Sequence, residues 1–514
     1  MKHIKILTGL GLWLMIAGTA CNKSELTNLN INPNTLNTID PEIQLAKAQL
    51  LNETEQFFYE PIMYYIPGYV QHFAAISGIM SFGDKYFTNR PEDMNSFYSN
   101  LYTNAIVNLT DIIAKTKDDT QKELVYSIAR VMRVFVMHRL TDMYGDIVYT
   151  EGGGGFSQNA LFPKFDSQRD VYADMLKELQ ESSETLKTTS NTLKNSTQDL
   201  FYGGDKIKWA KFANSLMLRL AMRISGADGS LSQQWVSTAI AGGLMTSNDD
   251  NAMLLHTDGP NPAARNPFSL VFESVEIEGQ KLSKTLIDFL RDNNDPRLHI
   301  ISMGIGPAEG PFDINPAHQK GMPNGYDATT ILDYEGLPPG SILNIHTTYS
   351  TVNTRLVNRT APSLYLSYAE VELLLAEAAE LGFINSSAVT HYNNGVSAAM
   401  KMYQSFDESL AVSDEEVEDY LTAHPYNPSE GIKMIGEQYW VANFTNPIEA
   451  WANWRRSGYP ELIPVNFPGT NYADQIPRRF LYPSAEAATN AVNYKEVIAR
   501  QGPDTWDTRI WWDR

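Results

Sequence analysis

Residues 199–225 read DLFYGGDKIKWAKFANSLMLRLAMRIS. Asp205 is of the right type to cap a helix N-terminus, and Leu216, Leu218, Leu220, Ala221 and Ile224 are candidate core positions on the helix it opens. A helix-period segment at 166–187 precedes it, and the two read as a hairpin. The same pattern extends outward. Residues 92–116 and 120–143 form a second pair of helical segments. In the latter, Leu124, Ile128, Val131, Phe135, Met137 and Leu140 make a broad apolar face that stops at Tyr144-Gly145-Asp146. A third pair is predicted at 363–380 and 386–403, joined by Leu381-Gly382-Phe383, and a helix entered through Pro41 is predicted over Pro41–Phe58. Between these lie long stretches rich in Gly, Pro, Asn and Asp at 59–90, 145–165, 244–280, 292–362 and 459–482. Strand-like runs are few and short. The expected fold is mainly α: helical hairpins of about tetratricopeptide size form a scaffold, and long irregular loops present the functional surface.

The N-terminus carries a separate message. Met-Lys-His-Ile-Lys is followed by an apolar run from Ile6 to Ala17, then Gly18, Thr19, Ala20 and Cys21, the only cysteine. A basic start, a short apolar core and small residues before a cut make a secretory signal. The apolar run is too short for a transmembrane helix, which needs ~20 residues. A cysteine at the cut is a point for lipid attachment, and a lone cysteine has no internal disulfide partner. The expected organisation is a lipoprotein signal at 1–20, a lipidated tether at 21–40 and a single helical domain at 41–514.

The chain has a net charge of −20, and removal of Lys2 and Lys5 with the signal makes it about −22. Nucleic-acid binding runs on positive surface, so nucleic acid is not an expected partner. A composition of 43% hydrophobic and 19% charged residues is globular, and without further cysteines stability must come from packing.

Catalytic patterns are missing. There is no Gly-x-Ser-x-Gly and no His-Glu-x-x-His, and Gly152–Gly155 runs into Phe156 instead of the Lys-Ser/Thr of a phosphate loop, so it reads as a flexible turn. Asp292-Asn293-Asn294-Asp295 lacks the alternation and closing Glu of a calcium hand and reads as a helix-ending turn. No cofactor or metal is expected. Glu370, Glu372, Glu377 and Glu380 have the spacing of a solvated helix face. Sixty acids leave many possible carboxylate pairs, so a glycoside hydrolase or lyase is a rival reading. Aromatic residues among glycines and polar side chains at 59–89 suit sugar rings, which stack a C–H face on an aromatic while their hydroxyls meet amides and carboxylates. Phe82, Asp84, Tyr86, Phe87 and Asn89 are the candidate ligand residues there, with Phe268, Phe272 and Tyr349 from later loops. Arg455-Arg456 and Arg478-Arg479 read as scaffold residues that pair with carboxylates.

Several strings in order resemble the SusD/RagB family, in its SusD-like branch. They are Asn30-Ile31-Asn32-Pro33-Asn34, MYGDIVY at 143–149, PKFDSQ at 163–168, the opening 199–225 segment, NDPRL at 294–298, YAEVELLLAEAAELG at 368–382, WRRSGYPEL at 454–462, IPRRFLYPSAE at 476–486 and Trp511-Trp512-Asp513. The resemblance implies a tetratricopeptide-like scaffold packed on a SusC-like TonB-dependent transporter of the outer membrane. It also implies capture of an oligosaccharide, or a peptide, without catalysis, and a source in the Bacteroidota. Lys23-Ser24-Glu25 only partly resembles the acidic export signal of such lipoproteins. A protein-binding scaffold without small ligand is the remaining alternative.

Overall fold

The computed structural model describes residues 39–52, 55–87, 90–155, 161–275, 279–307, 310–470, 472 and 474–514. Cys21, the signal, almost all of the tether and Asn89 lie outside the described residues. Everything below concerns the unit Pro41–Arg514. Its helices of nine or more residues are α1 (Pro41–Leu50), α2 (Glu55–Tyr69), α3 (Val107–Thr116), α4 (Glu123–Tyr144), α5 (Gln168–Thr188), α6 (Lys206–Arg223), α7 (Gly229–Gly242), α8 (Lys284–Asp292), α9 (Tyr368–Glu380), α10 (Ala388–Lys401), α11 (Asp414–Ala423), α12 (Gly431–Ala442), α13 (Pro447–Ser457) and α14 (Ala491–Gln501).

Side-chain caps open seven of these fourteen helices. Asp205 accepts from the backbone N–H of Ile207 and Lys208 at 3.0 and 3.1 Å, which opens α6 where the sequence places it. Ser167, Asp228, Ser283, Ser367 and Ser387 cap α5, α7, α8, α9 and α10 in the same way, and Ser413 with Glu416 closes a reciprocal box on α11. Each such cap contributes about 1 kcal/mol. Helices α4 to α7 pack as successive antiparallel neighbours, α9 pairs with α10, and α12 with α13. α4 is buried on nearly every face, so the scaffold is built around it. Among the described residues, strands are limited to three antiparallel pairs: β1 (Phe73–Ala75) with β3 (Gln280–Leu282), β2 (Ala252–Leu254) with β6 (Ser363–Leu366), and β4 (Ser302–Gly304) with β5 (Thr351–Val352). The mainly α expectation holds. No described helix is long and apolar enough to cross a membrane.

Three local expectations need correction. The Pro41–Phe58 helix stops at Leu50, and α2 continues to Tyr69 through Pro61 and Pro67, inside a stretch read as loop. Residues 61–69 other than Gly68 are large or proline, and all are buried, so burial outweighs the hydrogen bonds the prolines remove. The predicted helix at 363–380 begins as β6, because Ser363–Leu366 pairs with β2 before the Ser367 cap. The glutamates of α9 are not a solvated face. Glu370 takes two hydrogen bonds from Arg219 (2.5 and 2.8 Å), Glu372 lies 2.7 Å from His391, and Glu377 pairs with Arg456; all three are buried.

The arginine strings behave as scaffold: Arg456 pairs with Glu377, Arg478 with Asp513 and Arg479 with Asp504, while Arg455 lies over the Trp451 ring and donates to the Arg478 carbonyl. Asp292–Asp295 ends α8 as a turn, with Asn294 at φ 49° and Asp295 paired to Arg297.

His72 supplies a pH handle. It is buried against Trp440 and Phe444, with ring centroids at 4.8 and 5.4 Å, and its Nε2 lies 3.2 Å from the Trp440 carbonyl. Burial pushes its pKa down from 6.5 to about 3, against a smaller upward pull from that carbonyl. The unfolded chain therefore takes up a proton below the ordinary imidazole value that the folded chain refuses. The stabilisation is complete above that value and is lost as pH falls toward the folded one, by up to about 1.4 kcal/mol per pH unit. His72→Phe should flatten the fall in stability between neutral and mildly acid pH by roughly that slope, read from urea unfolding of both proteins.

Candidate binding site: an aromatic cleft

The 82–87 segment is held close against α2. A Cβ on Gly68 would sit 2.3 Å from the Asp84 nitrogen, and one on Gly83 would sit 2.0 Å from the Tyr65 carbonyl oxygen, so both positions require glycine. This approach decides which candidate side chains can meet a ligand. Asp84 is buried. Its carboxylate pairs with Lys85 at 3.0 Å and accepts from Asn324 Nδ2 at 2.7 Å and from the Gly325 N–H at 3.1 Å. Burial raises its pKa, and the Lys85 charge and these hydrogen bonds pull it back. Tyr86 is fully buried at φ 55°; its hydroxyl accepts from the Val465 N–H, and its carbonyl accepts from the Thr470 hydroxyl. Asp84 and Tyr86 thus hold loops together, which corrects their assignment as ligand contacts.

The other candidates separate cleanly. Phe82 is half-buried, edge-on to Tyr64 and beneath the Arg90 guanidinium. Phe87 is half-buried and meets Phe467 edge-to-face at 5.6 Å. Phe268 is buried and Phe272 packs on Phe73 at 5.3 Å; together they line a void of about 10 Å³, too small for any ligand, and are packing residues. Tyr349 is also buried, donates its hydroxyl to Glu335 at 2.7 Å and belongs to a small apolar cluster with Ala74, Met322, Ile331 and Ile345. Phe268 and Tyr349 are buried and offer no face to a ligand, whereas Phe272 is half-buried, like Phe82 and Phe87.

That small cluster supports a feature the sequence alone did not identify. Tyr326 packs on it, and the Tyr326 and Tyr334 rings lie 5.0 Å apart at 56°, with Tyr334 41% exposed. They form one wall of an open cleft of about 630 Å³. The opposite wall is the 463–468 segment, which contributes Ile463, Asn466 and Phe467 between Pro464 and Pro468. Gln71 rivets the floor: buried at φ 52°, it donates to the Ile463 carbonyl at 2.6 Å and accepts from the Thr285 hydroxyl at 2.7 Å. Two non-glycine residues in the left-handed region, Gln71 and Tyr86, thus flank one cleft. Such conformations cost about 1–3 kcal/mol each and persist where surroundings fix them. The lining carries aromatic and aliphatic surface, amides of Asn324 and Asn466, one ammonium from Lys284 and no carboxylate. It offers flat apolar faces beside amide hydrogen-bonding groups and no general acid. Proline-flanked aromatics at 323–334 and 464–468 are the sequence signal that could have located it.

A family profile described as "Starch-binding associating with outer membrane", SusD-like, matches residues 33–483. The chain belongs to the SusD-like family. Members are binding proteins of the outer membrane. Among solved structures, one described as a chitin-binding protein is 33% identical, with a TM-score of 0.82 over 92% of this chain and 100% of its own. A Bacteroidetes SusD-like protein is 28% identical with a TM-score of 0.80 over 93% of this chain and 100% of its own. A SusD homolog from Bacteroides uniformis is 25% identical with a TM-score of 0.75 over the same shares, 93% and 100%. Comparison with curated proteins finds no match.

Proposed function

We propose that the chain is a non-catalytic outer-membrane lipoprotein that binds an oligosaccharide in the Tyr326–Phe467 cleft and delivers it to a SusC-like TonB-dependent transporter. In this reading residues 1–20 are removed, Cys21 carries the lipid, 21–40 is a tether and 41–514 is one domain. A tether keeps such a cap near its barrel and leaves it free to swing. The observation that carries the binding role is the pair of half-buried Tyr326 and exposed Tyr334, which shares with Phe467 a cleft lined by amides and no carboxylate. Sugar rings stack on such faces, and hydrolysis by a carboxylate pair has no means there. The likeness to a chitin-binding protein makes chito-oligosaccharides the first probe and malto-oligosaccharides the second. Titration calorimetry should register weak binding of one series without cleavage. Tyr326→Ala and Phe467→Ala should each weaken it about tenfold, or 1.4 kcal/mol. Both side chains are partly exposed, so the variants should fold, and the transporter complex should still co-purify. Unchanged affinity in both variants would remove the cleft from consideration.

A further inference from the structure

The α9–α10 hairpin carries a side-chain relay that shares no residue with the aromatic cleft. Glu372 on α9 is 8% exposed, and its Oε2 lies 2.7 Å from Nδ1 of His391, near the start of α10. Across the same ring, His391 Nε2 lies 3.0 Å from Oγ of Ser386, in the turn that joins the two helices. Among the described residues His391 is the one ion-pair partner of Glu372, and the Asn394 amide approaches the same carboxylate oxygen at 3.4 Å.

These distances fix the direction of every hydrogen bond. A carboxylate only accepts, so His391 Nδ1 carries the proton and donates to Glu372. In the neutral ring Nε2 is then a bare acceptor, and the Ser386 hydroxyl donates to it. Capping does not account for the serine, because Ser387 is the N-cap of α10 and its own Oγ accepts from the Thr390 N–H at 3.3 Å. Ser386 is exposed, His391 is half-buried and Glu372 is buried, so the order of the relay runs from the interior to solvent. The backbone N–H groups of Ser387, Ala388 and Val389, which follow the serine directly, have no acceptor among the described residues. They lie at the positive end of a 14-residue helix, where developing negative charge is favoured.

A buried carboxylate, an oriented imidazole and an exposed hydroxyl in this order form the relay that activates serine for acyl transfer, and it is recognised by geometry on unrelated folds. We propose that Ser386, His391 and Glu372 form an accessory esterase site for short-chain carboxylic esters. Ser386 Oγ attacks the ester carbonyl carbon while His391 Nε2 takes its proton. The bond to the alcohol oxygen breaks, and the imidazolium returns that proton to the departing alcohol. Water then adds to the acyl-serine with His391 again as base, and the acid leaves. Glu372 is a positioning residue: it holds the ring in the reactive tautomer and balances the imidazolium. The aromatic cleft keeps its non-catalytic role toward glycans.

The test treats the full chain with an alkyl fluorophosphonate, which forms a P–O bond to an activated serine as fluoride leaves. Peptide mass mapping should place the label on Ser386. Ser386→Ala should remove it, and His391→Gln should slow it about a hundredfold, the scale of a lost general base. Both side chains are at least partly exposed, so these variants should fold. Hydrolysis of p-nitrophenyl acetate should fall to the solvent rate in Ser386→Ala, and Glu372→Gln should lower kcat with KM unchanged. Chito-oligosaccharide titration should be unaltered in Ser386→Ala, so this proposal and the aromatic-cleft reading fail separately. Label spread over many serines, or formed on Ser386 at the same rate in His391→Gln, overturns it, and Ser386 then only ties the turn to α10.

Discussion

Arg223→Met should cost about 3–5 kcal/mol of folding stability, the scale for removing one partner from a buried ion pair. Arg223 is buried on α6 and donates to both carboxylate oxygens of Glu449 at 2.5 and 2.6 Å, with Asp142 3.5 Å away. The next turn brings Arg219 to Glu370, and 3.5 Å from Glu449. Tyr439 donates to Glu449 at 2.7 Å, Tyr172 donates to Asp142, and the Trp512 indole N–H reaches Asp142 at 3.0 Å from the C-terminal segment. Helices α4, α6, α9 and α13 thus meet in one ionic cluster that water does not reach. Burial pushes the Glu449 carboxyl up, and two guanidiniums more than reverse it, so its pKa is lowered. Glu370 sits by one arginine and near Glu449, and burial leaves its pKa raised. Without Arg223, Asp142 loses its ion-pair partner and Glu449 keeps only Arg219, which it shares with Glu370. Urea unfolding should show the loss, and Arg223→Met combined with Glu449→Leu should recover much of it, since apolar replacement of a whole buried pair is often neutral. A loss below about 1 kcal/mol would mean that the pair behaves as a solvated one.

This cluster also marks where sequence reading stops. Asp205 was legible as a cap, because capping is local: the carboxylate and the N–H groups it serves are two and three residues apart. The same locality made the 292–295 turn readable. Glu370 was misread because an i, i+3 or i+4 glutamate pattern looks alike whether it faces water or an arginine 151 residues away. Asp84 and Tyr86 failed for the same reason. Their partners, Asn324, Gly325, Val465 and Thr470, lie more than two hundred residues on, and only the assembled loops bring them together. The proposed cleft is of this kind throughout. Its two walls come from 323–334 and 463–468, each an unremarkable proline-bounded loop in isolation.

Asp84→Ala should therefore weaken glycan binding by a route different from that of Tyr326→Ala. The Asp84 carboxylate is the common acceptor for Asn324 Nδ2 and the Gly325 N–H, and Tyr326 follows at once. Asn324 spends its other Nδ2 hydrogen on the Phe73 carbonyl, at 2.8 Å, so the 323–326 loop hangs from β1 and from Asp84 together. Lys85 is 2% exposed, and without Asp84 it keeps only the Ala75 carbonyl as a hydrogen-bond partner. Alanine leaves that ammonium buried without a counter-charge and the Gly325 N–H without an acceptor, a loss on the scale of about 3–5 kcal/mol. Because the damage sits between two loops and not in the helical scaffold, the expected result is local opening of 323–334 with the hairpins intact. Hydrogen exchange should rise in that segment while α4 to α7 stay protected. Glycan affinity should fall by about tenfold or more, matching or exceeding Tyr326→Ala. Asp84→Ala with Lys85→Met removes the stranded charge but not the broken hydrogen bonds, so it should restore stability and leave glycan affinity low. If that double variant binds glycan like wild type, Asp84 serves only to neutralise Lys85 and does not position Tyr326.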